Sequence, residues 1–162
     1  MAVKKTLFLD RDGVINVDHG YVSRIEDFEF VDGILEFIKE AQRKGYMPIV
    51  ITNQSGIGRG YYTQDDFERL TAHMIEKMQN HGIRIGREQI FHCPHDPDEG
   101  CRCRKPMPGM FLEAAERFDL DMQHSIMVGD KPSDIEAARA AGVGRVFLVE
   151  KNHPVRHYDI IL

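Results

Sequence analysis

The sequence contains no tryptophan and only three cysteines among its 162 residues. Three thiols cannot form a disulfide framework, which excludes the class of small secreted domains held together by disulfides and predicts a reducing compartment. No apolar run approaches the ~20 residues that a membrane span needs. Only three consecutive apolar residues, 7–9, lead into Asp10, too few for a signal peptide. We therefore expect a soluble, cytoplasmic protein with no membrane partner.

Basic residues are also fewer than acidic ones. The chain has 26 acidic and 21 basic side chains, which gives a formal net charge of −5. Because no overall positive field exists to attract a polyanion, nucleic acid is not expected as a partner. A local basic pocket is still compatible with this charge.

Length and composition indicate one domain over residues 1–162. Hydrophobic residues make up 42% of the chain and charged residues 29%. A chain of this length buries roughly 68–70% of the surface that its unfolded form exposes, enough for a core without disulfides or an obligatory partner. No long exposed apolar stripe is evident, so we expect a monomer.

Short apolar runs alternate with segments of helical periodicity. The runs contain no regular polar alternation, which is typical of strands buried on both faces of a parallel sheet. Thr63 and Asp66 form the pattern of a capping box, and the helix that would follow has an apolar face from Phe67 to Met78. Ser133 can cap another helix. We predict an α/β fold, a Rossmann-like doubly wound parallel sheet with helices on both faces. The predicted strands are 7–9, 49–51, 90–91, 126–128 and 146–149.

The polar residues that follow each apolar run are the candidates for chemistry, because ligands of open α/β sheets bind beyond the carboxyl ends of the strands. Asp10 and Asp12 follow the first run, and residues i and i+2 of an extended segment point the same way. Two such carboxylates need a cation between them or different protonation states, which suits one nucleophile and one proton donor. An aspartate pair at a strand end can equally cap a turn, and both interpretations are open at this point.

Further polar groups belong to the same edge of the predicted sheet. Thr52 offers a hydroxyl and backbone N–H groups to phosphate oxygens, and Lys105 offers a point charge. Asp130, with Asp134, adds one or two carboxylates, and an oxygen-only cluster suits a hard cation such as Mg²⁺. Each group has an alternative: turn chemistry for Thr52, a solvated basic patch for Lys105, and a first-turn helix acid for Asp134. Several such groups at one edge of the sheet indicate a functional site more specifically than any one of them alone.

The three cysteines all fall between Cys93 and Cys103. Cys93, Cys101 and Cys103 offer, together with His95, a full tetrahedral set of zinc ligands with no open position for water. Such a zinc-bound loop is structural: it would hold the irregular segment 94–103 and position the two basic residues that follow it. The alternative is three free thiols and a surface histidine.

Four motifs in this order resemble those of the haloacid dehalogenase superfamily. They are residues 9–14, 52–56, 105–106 and 129–134. Within that superfamily, residues 16–22, 54–60 and 101–106 are similar to the phosphatases that act on a heptose bisphosphate. The resemblance covers nearly the whole chain.

The resemblance implies a role for each motif. Asp10 would attack the phosphorus and form an aspartyl-phosphate, while Asp12 would protonate the leaving sugar oxygen and then deprotonate the hydrolytic water. Mg²⁺ would be held by the Asp10 carboxylate, the Asp12 backbone carbonyl and Asp130. Thr52 and Lys105 would stabilise the transferring phosphoryl group.

The resemblance also implies which residues face the sugar and its remaining phosphate. They are Arg11, Asp18, His19, Gly20, Tyr21, Asn53, Gln54, Ser55, Arg104 and Lys131. Arg59 is a further candidate because it lies in a glycine-containing loop near the site, and an exposed solubilising arginine is the alternative there.

The function implied is Mg²⁺-dependent hydrolysis of the 7-phosphate of a small-molecule sugar bisphosphate, D-glycero-D-manno-heptose 1,7-bisphosphate. This reaction belongs to ADP-heptose or GDP-heptose biosynthesis for lipopolysaccharide. The alternatives are a histidinol-phosphate phosphatase, which shares the zinc loop and the catalytic motifs, and a non-catalytic binding module of the same fold.

Three further expectations concern the surroundings of the site. No cap domain is expected, because segments 13–30 and 55–63 are both short. Residues 150–152 replace the Thr-Gly-like turn that the family usually has after the fifth strand, which leaves the contacts there open. Residues 160–162 are expected to form a last strand.

Overall fold

The computed structural model describes residues 3–155. Its strands are β1 (Thr6–Leu9), β2 (Met47–Asn53), β3 (Ile90–Cys93), β4 (Ile126–Gly129) and β5 (Arg145–Leu148). Its helices are α1 (Ile34–Arg43), α2 (Ser55–Gly58), α3 (Gln64–Asn80), α4 (Gly109–Phe118) and α5 (Pro132–Ala140). No helix in this range is both long enough and apolar enough to span a bilayer. The strand expected over 160–162 lies outside the described residues.

The strands form one parallel sheet in the order β3-β2-β1-β4-β5. In the centre, Phe8 of β1 is in register with Ile49 of β2 on one side and Met127 of β4 on the other. Each connection between consecutive strands contains at least one helix, as a parallel sheet requires. The predicted α/β class and doubly wound topology are confirmed.

Apolar side chains cover both faces of the sheet. Leu7 and Leu9 belong to a core shared with α1 and α3, whereas Phe8 between them belongs to a second core shared with α4 and α5. On the second face the rings of Phe8 and Phe111 lie 4.9 Å apart between centroids. Because the central strands are covered on both faces, their sequences are continuous apolar runs without a period of two.

Two local predictions are wrong. Within the described residues β5 pairs only with β4, at the edge of the sheet, so it is not buried on both faces, and Leu148 is 59% exposed. Ser133 does not cap α5; instead the Asp134 carboxylate accepts a hydrogen bond from the backbone N–H of Lys131 at 3.1 Å. The predicted capping box at the start of α3 is confirmed. Thr63 Oγ1 accepts a hydrogen bond from the Asp66 N–H at 3.0 Å, and the Asp66 carboxylate accepts one from the Thr63 N–H at 2.9 Å.

The order of the strands reverses at β1: the chain adds β2 and β3 on one side of β1 and then crosses over to add β4 and β5 on the other. Such a reversal leaves a crevice at the carboxyl ends of the strands. Residues 10–33, 54–63 and 130–131 connect elements at this edge, and none of these segments contains an inserted domain. The described part of the chain therefore agrees with the predicted uncapped fold.

Candidate active site

A buried lysine lies between two carboxylates in the crevice. Lys105 Nζ is 3.0 Å from Oδ1 of Asp10 and 2.6 Å from Oδ1 of Asp134, and it donates to the carbonyl oxygen of Ile51 at 2.8 Å. All three charged side chains are almost fully buried. Asp10 follows β1, Asp134 lies in the first turn of α5, and Lys105 precedes α4, so three distant segments meet at one ammonium group.

Burial and neighbouring charges act on these groups in different directions. Burial raises the pKa of Asp10 well above its usual value; Lys105 opposes this, and the carboxylates of Asp134 and Asp130 add to it. Burial acts to lower the pKa of Lys105, but Asp10 and Asp134 outweigh it and the pKa is raised. The lysine therefore stays charged, whereas full ionisation of Asp10 needs another positive charge nearby.

Asp130 offers a place for that charge. Both of its carboxylate oxygens are buried without a hydrogen-bond partner in the described part of the chain. Carboxylate oxygens of Asp10, Asp130 and Asp134 lie within 4.8 Å of one another, but Asp134 is engaged by Lys105 and by two backbone N–H groups. A buried carboxylate that accepts no hydrogen bond, beside a second carboxylate, fits a hard divalent cation such as Mg²⁺. Asp10 and Asp130 are its side-chain candidates, and Asp134 orients Lys105.

The absence of a side chain at Gly13 makes room for the carboxylate of Asp130. Its φ is +91°, a conformation that L side chains rarely adopt, and a Cβ at this position would overlap Oδ2 of Asp130. The glycine after the paired aspartates is thus required for a second reason besides the turn, because it keeps the carboxylate of a distant strand end in place.

Gly13→Ala is expected to weaken Mg²⁺ binding and to lower activity by about a hundredfold, because a small displacement of a reacting group costs about that much. Calorimetric titration with Mg²⁺ and phosphate release at varied Mg²⁺ measure the two effects. Gly142→Ala is the matched control: its φ is +88°, but nothing lies within 4 Å of the added Cβ. Equal Mg²⁺ affinity in the two variants would contradict the assignment of Asp130.

Asp12 has a different environment from Asp10. Its Oδ1 accepts from Arg11 Nη2 at 2.9 Å and from Asn16 Nδ2 at 3.0 Å, and its Oδ2 accepts from Gln54 Nε2 at 3.0 Å. Burial acts to raise the pKa of Asp12, but the Arg11 guanidinium and these hydrogen bonds outweigh it and the pKa is lowered. Two carboxylates two residues apart thus have opposite pKa shifts, as in sites where paired acids do different work.

A cleft of about 490 Å³ opens over these groups. Nη1 of Arg104 is buried in its wall without a hydrogen-bond partner in the described part of the chain. Lys131 Nζ lies 3.9 Å from Asp130 on the same wall. An unpaired guanidinium donor and a second cation beside the carboxylates suit an anionic ligand. The predicted sugar-binding residues that line the cleft are Asp18, Gly20, Tyr21, Asn53, Gln54, Ser55, Arg104 and Lys131.

Three predicted sugar-binding residues do not line the cleft. Arg11 is buried, and its guanidinium donates to Asp12 and to the carbonyl oxygen of Val22 at 2.8 Å. His19 is exposed, and Arg59 is exposed with its Nε 3.9 Å from Asp96. The structure therefore places Arg11 behind Asp12, where it acts on that carboxylate and does not reach the cleft.

Asn53 and Gln54 line the cleft with side chains that are already paired. Asn53 Oδ1 accepts from the Lys105 N–H at 3.0 Å, and its Nδ2 donates to the Lys105 carbonyl at 3.3 Å. Gln54 Nε2 donates to Asp12 and, at 2.9 Å, to Thr52 Oγ1. These amides hold Lys105, Asp12 and Thr52 in place, a role that the residue types alone do not reveal.

The loop after β5 belongs to the site as well. Asn152 Oδ1 accepts from the Asp18 N–H at 2.7 Å and its Nδ2 donates to the Asp18 carbonyl at 3.1 Å. Lys151 Nζ lies 3.4 Å from the Asp18 carboxylate. A signal for this loop exists in the sequence, because residues 150–152 also follow a strand at the ligand-binding edge.

The cysteine and histidine side chains form one compact cluster beside the cleft. Cys93 Sγ lies 2.7 Å from Cys103 Sγ, 3.5 Å from Cys101 Sγ and 3.3 Å from His95 Nδ1. All four ligand atoms lie within 4.8 Å of one another. Three thiols and one imidazole around a common point fit a tetrahedral zinc ion.

The chain is similar to known proteins of one family. Residues 4–142 match the family model of haloacid dehalogenase-like hydrolases. A Campylobacter jejuni protein named D-glycero-alpha-D-manno-heptose-1,7-bisphosphate 7-phosphatase is 50% identical over 147 residues, 91% of this chain and 83% of the relative. A Vibrio cholerae protein named for the beta anomer is 46% identical over 159 residues, 94% of this chain and 84% of the relative.

A solved structure is similar over most of the chain. The D,D-heptose 1,7-bisphosphate phosphatase of B. bronchiseptica, crystallised with magnesium and phosphate, superposes with a TM-score of 0.81 at 35% identity and covers 87% of this chain and 78% of its own. Family model, relatives and solved structure agree with the strand-end motifs: the chain belongs to the haloacid dehalogenase-like hydrolases.

Proposed function

We propose that this protein hydrolyses the 7-phosphate of D-glycero-D-manno-heptose 1,7-bisphosphate and releases the heptose 1-phosphate, in ADP-heptose or GDP-heptose biosynthesis. The observation that carries the proposal is the buried Asp10 carboxylate, held by Lys105, next to the Asp130 carboxylate, whose buried oxygens accept no hydrogen bond from the described residues. A non-catalytic binding module has no need for a cluster of acidic side chains whose burial disfavours their charged forms. The names of the relatives supply the substrate.

Asp10 and Asp12 divide the chemistry. An oxygen of Asp10 attacks the phosphorus, the bond between phosphorus and the sugar O7 breaks, and Asp12 gives its proton to O7. Asp12 then takes a proton from the water that attacks the aspartyl-phosphate, which frees inorganic phosphate and restores Asp10. Bound substrate supplies the negative charge that brings a proton to Asp12, whose pKa is otherwise lowered.

The cation and two side chains stabilise the phosphoryl group. Asp10 and Asp130 would hold Mg²⁺ through their side chains and Asp12 through its backbone carbonyl. Bound Mg²⁺ supplies positive charge that favours the ionised form of Asp10 and neutralises phosphoryl oxygens. Lys105 Nζ and the Thr52 hydroxyl stabilise the equatorial oxygens of the same group.

The cleft binds the rest of the substrate. Arg104 and Lys131 receive the 1-phosphate, because they are the cations that line the cleft outside the buried Lys105. Asp18, held by Asn152, accepts hydrogen bonds from sugar hydroxyls, and Tyr21 covers the sugar ring. We further propose that the cysteine cluster binds structural zinc and that the chain acts as a one-domain cytoplasmic monomer, since one chain supplies every group named here.

Steady-state kinetics test this proposal. With Mg²⁺, the protein is expected to release one phosphate per heptose bisphosphate, and kcat/KM for histidinol phosphate is expected to be lower by at least about a hundredfold. The reason is electrostatic, because histidinol phosphate carries an amine, and not a second phosphate, toward Arg104 and Lys131. Both anomers of the bisphosphate are measured, since relatives are named for each. Faster release from histidinol phosphate favours that alternative, and no release from either anomer overturns the proposal.

Arg104→Ala separates the two substrates further. It is expected to raise KM for the bisphosphate by about tenfold, because a charge-assisted contact to phosphate is lost. The same change leaves KM for histidinol phosphate within about twofold. Equal effects on both substrates would contradict the placement of the 1-phosphate.

A further inference from the structure

Tyr62 lies in the wall of the cleft, in the loop between α2 and α3. Its side chain is buried, and its hydroxyl is hydrogen-bonded to Oε1 of Gln54. Gly56 makes room for the ring, because a Cβ there would overlap Cε1 of Tyr62. The next residue, Thr63, caps α3 through its capping box with Asp66, so the backbone that carries Tyr62 is anchored on its C-terminal side.

The contacts of the Gln54 amide determine which way it points. Its nitrogen only donates hydrogen bonds, and Nε2 donates to Oδ2 of Asp12 at 3.0 Å. Oε1 then faces Tyr62, and the tyrosine hydroxyl must be the donor. Burial raises the pKa of Tyr62 to about 12, so the hydroxyl keeps the proton that it donates.

The same amide sets the state of Thr52. Nε2 has two hydrogens, and its second one goes to Thr52 Oγ1 at 2.9 Å. That oxygen therefore donates its own proton elsewhere. Its acceptor is the carbonyl oxygen of Asn53 at 3.4 Å, a long bond that a phosphate oxygen can replace.

We propose that Tyr62 is a positioning residue: its hydroxyl fixes the Gln54 amide, and Gln54 in turn holds the Asp12 carboxylate in line with the leaving oxygen. This inference rests on the proposed phosphatase function and assigns a role to a residue outside the four motifs. Without the hydroxyl, Oε1 of Gln54 is buried and unpaired, and rotation of the amide would turn an oxygen toward the Asp12 carboxylate. Asp12 then loses a partner on Oδ2 and the geometry for proton transfer.

Leaving groups of different acidity separate this role from a merely structural one. A sugar oxygen needs a proton as it departs, whereas p-nitrophenolate departs without one, so only the first reaction depends on Asp12 as an acid. Tyr62→Phe is expected to lower kcat/KM for the heptose bisphosphate by about tenfold and for p-nitrophenyl phosphate by less than about threefold, because the two reactions share only the Thr52 contact. The ratio of the two losses does not depend on how much of the variant is folded.

A double-mutant cycle tests whether the effect passes through Gln54. In a Gln54→Ala background, Tyr62→Phe is expected to cause no further change in either substrate. Tyr46→Phe is the matched control: Tyr46 is also buried, and its hydroxyl accepts from Arg145 at 3.3 Å far from the cleft. We expect this control to leave both values of kcat/KM unchanged.

The outcomes are distinguishable from those that test the proposed function. If the unmodified protein releases no phosphate from the bisphosphate, the proposed function fails before any variant is compared. If it releases phosphate and Tyr62→Phe slows both substrates equally, slows neither, or adds its full effect in the Gln54→Ala background, the positioning role of Tyr62 is overturned. A selective and non-additive loss supports it.

Discussion

Asp10→Asn is expected to slow phosphate release by more than about a thousandfold, because an amide neither attacks phosphorus nor forms the acyl-phosphate bond. The substitution keeps the shape of the side chain and removes one of the clustered negative charges around Lys105. Single-turnover release of phosphate measures the effect, and mass spectrometry of rapidly quenched enzyme looks for the aspartyl-phosphate. The adduct should be present in the unmodified protein and absent in the variant.

The same variant is expected to be at least as stable as the unmodified protein. Burial raises the pKa of Asp10, so its ionised form costs the folded state free energy at neutral pH when no cation is bound. Removing that charge relieves the cost, while the loss of the contact to Lys105 acts in the other direction. The melting temperature without Mg²⁺ should therefore stay equal or rise.

Asp119→Asn is the matched control for Asp10→Asn. Asp119 ends α4 with a φ of +55°, a backbone conformation that asparagine also adopts, and its side chain is exposed. Its activity should equal that of the unmodified protein. Full activity of Asp10→Asn would overturn the nucleophile assignment, and a large fall in its melting temperature would contradict the account of the buried charges.

Loss of zinc is expected to lower kcat by about a hundredfold, since a misplacement of about 1 Å in a catalytic group has that effect. The cluster of Cys93, His95, Cys101 and Cys103 closes the segment that ends directly before Arg104 and Lys105. His95→Gln removes one ligand and should abolish stoichiometric zinc, which elemental analysis of the purified protein measures. The melting temperature should fall at the same time, because metal binding stabilises the folded state alone.

His124→Gln serves as the control for the zinc variant. His124 is exposed and is 2.8 Å from Asp121, remote from the cysteines. Its zinc content and activity should match those of the unmodified protein. If the unmodified protein contains no zinc, or if His95→Gln keeps both zinc and full kcat, the proposed structural role of the metal is wrong.

The sheet and the position of the catalytic groups follow from the sequence with little ambiguity. Apolar runs without polar alternation, separated by helical segments, have one common solution: a parallel sheet covered on both faces. That solution brings the residues after each run to one edge, so the sequence alone predicts a common site for Asp10, Thr52 and Asp130. β5 is the exception, since an apolar run does not show whether a strand lies at the edge.

The partners of each polar side chain depend on the three-dimensional structure. Arg11 resembles a ligand contact in sequence, yet it is buried behind Asp12, and the amides of Asn53 and Gln54 hold neighbouring catalytic groups. Asn152 meets Asp18 across 134 positions of sequence, and no local pattern marks that pair. Residue type sets how many hydrogen bonds a group donates or accepts, but chain folding sets which atoms come within 3 Å. The motifs thus indicate the chemistry, whereas the division between groups that react and groups that position them arises from tertiary contacts.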